Sequence, residues 1–301
     1  MLNNLPEHLS ERVRVVTDDE KVLRNGPVVV WLKSSHRFHE NPAIDVGRII
    51  AENQNLPMLV YHGIDERYPH ASLRHHNSLL DAAVDVSRLC KKNGIKHVLH
   101  VAREGHRSSV MKEFAAMASL IITDLFPIPP WDDWVKSVAK IANCPVIEVD
   151  CHCVIPMTLY GKSVDRPFKF RSATKKLRKA RIQRSWPKVE AKPKPYNGKL
   201  PFTPVDIESE VADMKARFEL LKRCNIDPTV HPVWSEKGGE TFALNKWQQY
   251  LDKGLSGYAR RRNNAADPNG VSRLSSAFHY GFLSPMRVAR EAAAVGTKAA
   301  E

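Results

Sequence analysis

The residues best suited to hold a charged group run Gly270-Val271-Ser272-Arg273-Leu274-Ser275. Gly270 permits a tight turn or a close backbone approach. Ser272 suits a helix N-cap, and Ser275 falls three residues on, inside the first turn. Leu274, Phe278 and Phe282 recur at i, i+4 and i+8 and predict one apolar helix face. A helix start presents N–H groups without intrahelical acceptors and a partial positive charge. Hydroxyls and a guanidinium beside it make a seat for phosphate. An anion there gains about 0.3–1 kcal/mol from the dipole. The same residues also describe an ordinary capped helix, and spacing alone leaves both readings open.

Other chemistry-bearing types are less well placed. Cys151-His152-Cys153, with Cys144 nearby, has the residue types of half a soft metal site. Thiols one residue apart point to opposite sides of a strand, and no second pair follows, so a strand-end core position is expected and no metal site. His75-His76 opens a helix and reads as surface. Trp131 and Trp134, at i and i+3, read as helix core. The five cysteines are odd in number and scattered, which fits a reducing compartment and no disulfide framework. The N-terminus lacks an apolar h-region, and no run approaches the roughly 18 apolar residues of a membrane span. A soluble, intracellular monomer is expected. The net charge of +13 points to an anionic partner, with nucleic acid the usual one.

The elements that must position these residues fall into two halves. "PVVVWL", "PMLVYHG", "IKHVLHVA", "LIITDLF" and "CPVIEVD" are short apolar runs separated by helix-length segments of 3.6 periodicity. That alternation predicts a doubly wound α/β domain with a five-stranded parallel sheet. The first strand-to-helix turn, "KSSHRFHENP", has no GxGxxG, so a dinucleotide fingerprint is absent there. Beyond Asp150 the chain turns basic and Pro-rich, and the stretch from Lys162 to Lys199 reads as a solvated connector able to add non-specific DNA affinity. Helical spacing then returns without a strand candidate. The expected organisation is an N-terminal extension over 1–27, a Rossmann-like domain over 28–157, a basic connector over 158–205 and a helical segment over 206–301.

From Gly239-Glu240 through Leu255, Tyr258, Arg262-Asn263, Gly270–Ser275 and His279–Gly281 to Ser284 and Arg287, the order of residues resembles the flavin-binding domain of the photolyase/cryptochrome family. "VVVWLKSSHRFHENPAI", "IITDLFPIPPWDDWVKSVAKIANCPVIEVDCHCVIP" and "FRSATKKLRKARI" are similar to the α/β half and linker, nearest to class II photolyases. The resemblance covers most of residues 28–290. Val271 departs from the family's Thr or Ser, Ser276 from Pro, and Cys151 and Cys153 from Ala and Asn.

The resemblance implies that Tyr258, Val271, Ser272, Arg273, Leu274 and Ser275 line the diphosphate and ribose region of FAD. It implies that Arg262 contacts DNA phosphate, although a solvated charge in "ARRRN" describes that residue as well. It further implies a second, light-harvesting chromophore of unspecified identity in the α/β half, damaged DNA as partner, and light-driven electron transfer from reduced FAD that splits cyclobutane pyrimidine dimers. That activity is a carbon–carbon lyase reaction. The family's flavin-ring and lesion-pocket residues come later than Arg287, so the chain is expected to be a partial, inactive form with an incomplete FAD site. No catalytic acid, base or nucleophile is expected within it. Two other readings stay open: a cryptochrome-type signalling protein, and a basic nucleic-acid binder without catalysis.

Overall fold

A computed structural model describes residues 2–17, 21–161 and 163–296. Outside them lie the outer ends of the 1–27 and 206–301 segments, residues 18–20, and Lys162 of the basic connector. After the short helix α1 (Glu7–Ser10) comes strand β1 (Val13–Val15). Then β2 (Val28–Leu32), α2 (Pro42–Asn53), β3 (Met58–Ile64), α3 (Leu73–Lys92), β4 (Lys96–Val101), α4 (Val110–Met117), β5 (Leu120–Asp124), α5 (Trp131–Ile141) and β6 (Val146–Val149) alternate as the periodicity predicts. Local chemistry sets the starts: the Asn41 side chain accepts from the N–H of Ala43 and Ile44 ahead of α2, and Ser72 caps α3.

The sheet order is β1-β6-β5-β2-β3-β4, with every pair parallel except β1 on β6. The parallel doubly wound sheet is therefore as expected, with one strand more. β1 pairs Val13 with Val149 and comes from the segment read as an extension. Its three side chains are exposed or half-exposed, so it lacks the apolar run that marked the others. β2 lies between β3 and β5, and the chain winds away from it in both directions. The carboxyl ends of β2 and β5 thus flank the topological switch point, where open α/β sheets take ligands.

Helices make up the rest: α6 (Met157–Tyr160), α7 (Pro167–Ile182), α8 (Ile207–Glu210), α9 (Met214–Leu221), α10 (Glu240–Lys253), α11 (Tyr258–Arg261), α12 (Ser275–His279) and α13 (Pro285–Ala294). Leu274, Ala277, Phe282 and Leu283 are buried in one apolar cluster with Leu79, Leu80 and Ala83 of α3. The connector also docks. Met58 and Lys194 share a backbone hydrogen bond of 2.8 Å, the Tyr196 N–H donates to Met58 O at 2.9 Å, and Arg48 donates to Ala191 O at 2.8 Å.

A buried polar seam joins the two halves. Arg37, fully buried, donates to Gly281 O at 3.1 Å, Cys151 O at 2.8 Å and Ser35 Oγ at 2.9 Å. The Glu240 carboxylate accepts from the N–H of Phe38 (2.9 Å) and His39 (3.1 Å) and faces the His39 imidazole at 3.0 Å. Ser284 Oγ donates to Glu40 at 3.0 Å, and Arg290 pairs with the same carboxylate. Gly281 has φ +64°, and a Cβ there would lie 2.6 Å from the Ser35 Cα. Only glycine meets both the left-handed backbone and that approach.

Candidate functional site

The turn from Gly270 to Ser275 closes one side of a cleft of about 400 Å³ against α10. A Cβ on buried Gly270 would stand 2.9 Å from Arg261 O, so the two backbone segments are nearly in contact there. Asp267 organises the approach. Its carboxylate takes both Arg261 Nε (2.6 Å) and a terminal Arg261 nitrogen (2.8 Å), and also accepts the Asn269 N–H at 3.0 Å. Tyr250 donates its hydroxyl to Gly270 O at 3.3 Å. Arg273 has φ +52°, a left-handed conformation unusual for a side chain with a Cβ.

This geometry replaces the expected cap. α12 begins at Ser275 and is only five residues long. Its N-cap residue is Leu274, with no side-chain cap, and Ser272 caps nothing. The left-handed turn at Arg273 swings Ser272 away from the helix start. Among the described residues no protein oxygen accepts from the backbone N–H of Val271, Ser272, Arg273 or Leu274. Lys246, Lys253, Arg261 and Arg273 line the cleft. Lys246 is paired with Glu236 at 2.5 Å and Arg261 with Asp267, whereas Lys253 and Arg273 form no ion pair with a described carboxylate. Free amide donors beside uncompensated cations suit a polyanion such as a diphosphate.

The structure gathers only part of the sequence-read set. Val271, Ser272 and Arg273 line the cleft. Leu274 is 2 % exposed and belongs to the apolar cluster, so only its backbone can face a ligand, and Ser275 is exposed. Tyr258 and Arg262 lie on and just beyond α11, with the Arg262 guanidinium 5.6 Å from the Tyr258 ring centroid and open to solvent.

A second cleft lies over the carboxyl ends of β2 and β3, and Phe126, Trp131 and Trp134 from beyond β5 reach it across the switch point. Trp131, Trp134, Tyr68, Phe126, His75 and Tyr280 wall it, and Lys33, Ser34, His36 and Asp65 reach it from the strand ends. It continues into a space of about 400 Å³ bounded by Tyr61, His100 and Val110. The rings contact one another, with Phe126–Trp131 centroids at 5.2 Å, Tyr68–Trp131 at 5.7 Å and Tyr68–His75 stacked at 4.9 Å. Lys33 is buried, 3.7 Å from the buried Glu148 carboxylate, and burial lowers its pKa. An aromatic wall with few polar groups suits a planar ligand.

Sequence reasoning placed these residues differently. Trp131 and Trp134 are half-buried cleft walls and not core, and His76 is fully buried and not surface. α5 starts directly above the switch point, so its first turn overhangs the strand ends. The signal available was the position of Trp131 after a strand, not its helical spacing. Cys151 is fully buried at the strand end, as read, and no group of metal-ligating side chains occurs among the described residues.

A doubly wound sheet and a helical layer stitched to its first turn are the arrangement that the resemblance implied. Comparison with known proteins agrees, although no family model matches. The chain is 25% identical over 292 residues to the deoxyribodipyrimidine photo-lyase of Methanothermobacter thermautotrophicus, covering 95% of this chain and 60% of that protein. It is 25% identical over 288 residues to the one from Potorous tridactylus, covering 93% and 51%. In fold it is similar to a class III photolyase from Agrobacterium tumefaciens (TM-score 0.61, 17% identity, 91% of this chain and 54% of that one). It is also similar to a Sulfolobus tokodaii photolyase solved with two FAD molecules (TM-score 0.56, 15% identity, 89% and 54%). The curated relatives bear out the resemblance to photolyases, and the solved structures bear out the fold. It spans about half to 60% of the length of the curated relatives it matches.

Proposed function

We propose that this chain forms part of a DNA photolyase-like flavoprotein, with the Val271–Leu274 bend holding the diphosphate of FAD. The observation that carries the reading is the run of four backbone N–H groups without a protein acceptor among the described residues, in a bend whose Val271, Ser272 and Arg273 line a cleft with two uncompensated cations. The residues present fit the group. Val271, Ser272, Arg273 and Leu274 offer amides, Ser272 and Ser275 offer hydroxyls, and Arg273 with Lys253 balances the two negative charges. Val271 in place of a hydroxyl residue removes one donor. Tyr258 presents a ring beside Arg262, which contacts DNA phosphate in this reading. The aromatic cleft and the space of about 400 Å³ beyond it, between Trp134, Tyr61 and His100, are the place this reading gives a light-harvesting chromophore. Reduced FAD, when bound and illuminated, supplies the electron that splits a cyclobutane pyrimidine dimer. The chain's own part is to orient the cofactor and to hold the two halves in register through Arg37 and Glu240.

The test is a titration of the chain with FAD against riboflavin, read by flavin fluorescence. FAD should bind weakly, at least tenfold better than riboflavin, and Arg273→Glu should remove that advantage. Equal affinity for the two flavins, or no FAD binding at millimolar concentration, refutes the role given to the bend. No helix of the described residues is long and apolar enough to cross a membrane.

A further inference from the structure

Helix α7 takes no part in either cleft's proposed role. Of its residues only Thr174 is buried. Arg166 and Lys169 pair with Asp165, and Arg181 with Glu11. Arg171, Lys175, Lys176, Arg178 and Lys179 form no ion pair with a described carboxylate. Arg171, Lys175 and Lys179 recur at i, i+4 and i+8, so they share one stripe, with Lys176 beside it. At a rise of 1.5 Å per residue the stripe is about 12 Å long. Like charges at that spacing repel and weaken a helix. An external polyanion turns this repulsion into attraction.

The chemistry of the stripe selects among polyanions. A helix lying in a membrane surface needs an apolar face along its whole length. In α7 the exposed large apolar side chains are Phe168 and Phe170, both in the first turn. An acidic peptide would need an unbroken run of carboxylates to match the stripe. Duplex DNA carries about one phosphate charge per 1.7 Å of axis, so about seven over 12 Å.

We propose that the exposed face of α7 is a second DNA contact, lying along the phosphate backbone of a duplex without regard to sequence or lesion. The inference takes from the proposed function only that the polyanion is DNA. The isolated aromatics at its N-terminal end add contact surface and no base readout.

The experiment is fluorescence anisotropy of an undamaged labelled duplex with the whole chain between 50 and 300 mM KCl. The wild type is compared with the quadruple variant Arg171→Gln, Lys175→Gln, Lys176→Gln, Lys179→Gln. Each phosphate that the variant no longer neutralises lowers the slope of log affinity against log salt by about 0.9, so the slope should fall by about 2–4. Its affinity at 100 mM KCl should fall at least tenfold with an unchanged thermal midpoint. A charge-conserving variant, with Lys175→Arg, Lys176→Arg and Lys179→Arg, should keep the wild-type slope. Equal slopes for wild type and quadruple variant overturn the proposal. So does a variant that loses binding to phosphatidylserine vesicles while keeping its DNA slope. The FAD-against-riboflavin titration on the same samples reports the flavin reading separately, so failure of either leaves the other standing.

Discussion

Acidification from pH 8 to 5.5 should destabilise this chain by several kcal/mol, because it buries neutral histidines behind the switch point. His36 and His62 stack at 4.7 Å between ring centroids, and His97 meets His62 edge-on at 6.0 Å. His75 and His76 lie beside them on α3, 5.6 Å apart. Both ring nitrogens of His62, His76 and His97, and Nδ1 of His36, lack a hydrogen-bond partner among the described residues. Burial holds His36 and His76 down at about 4 and His75 and His97 at about 3, and His62 well below its ordinary value.

The unfolded chain takes up protons below about pH 6.5 and the folded one does not. The stability from neutral burial is therefore present above pH 6.5 and is lost as pH falls toward 4 and 3. One pH unit below the ordinary value, each such group withdraws about 1.4 kcal/mol, so His36, His75, His76 and His97 together withdraw about 5–6 kcal/mol at pH 5.5. Two groups oppose this. Asp45, raised by burial to about 6, takes up its proton in the folded state first and returns somewhat under ~1 kcal/mol. His39, raised mainly by its hydrogen bond to Glu240, favours the folded chain at low pH as well. The net loss of about 4–5 kcal/mol is a large part of an ordinary 5–15 kcal/mol stability. Thermal melts at fixed ionic strength should show the midpoint falling by about 10 °C between pH 8 and 5.5. His97→Gln should recover about a quarter of the drop. A midpoint constant within about 2 °C over that range would refute the assignment of these rings as neutral in the folded chain.

Three other outcomes test the seam. Gly281→Ala should cost at least about 2 kcal/mol in urea unfolding, combining a left-handed backbone with a clash against Ser35; a cost under about 0.5 kcal/mol contradicts the close approach. Glu240→Ala leaves the N–H groups of Phe38 and His39 without acceptors and should cost about 2–4 kcal/mol, with Glu240→Gln costing less because its carbonyl still accepts. The His39–Glu240 pair should contribute fully below about pH 6.5 and fade as pH rises through the elevated His39 value, so Glu240→Gln should shift the His39 resonance titration back to about 6.5. An unmoved titration would sever that link.

What the sequence disclosed depended on how locally each feature is encoded. The parallel strands were legible because burial on both sheet faces writes a continuous apolar run, as in Val28–Leu32 and in residues 120–122 of β5. β1 was not, since an edge strand with exposed side chains has no such pattern. The bend at Gly270–Ser275 was legible as a place, but its conformation depends on Arg273 turning left-handed, which tertiary contacts decide. His76 and Trp131 were misplaced because residue type alone does not say which face of a helix meets a neighbour.

The ordered motif of the helical half also mixes two kinds of residue that sequence order cannot separate. Glu240, Gly281 and Ser284 bind the first strand-to-helix turn, whereas Val271, Ser272 and Arg273 face the cationic cleft. α12 connects the two groups. It leaves the bend at Leu274 and ends at Tyr280, whose ring walls the aromatic cleft and whose carbonyl accepts from the His36 N–H at 3.3 Å. A five-residue helix is about 7.5 Å long, so one rigid element fixes the spacing between the Gly270–Ser275 bend and the aromatic cleft. Ligands held at its two ends would keep a set separation for as long as Arg37 and Glu240 keep the seam closed.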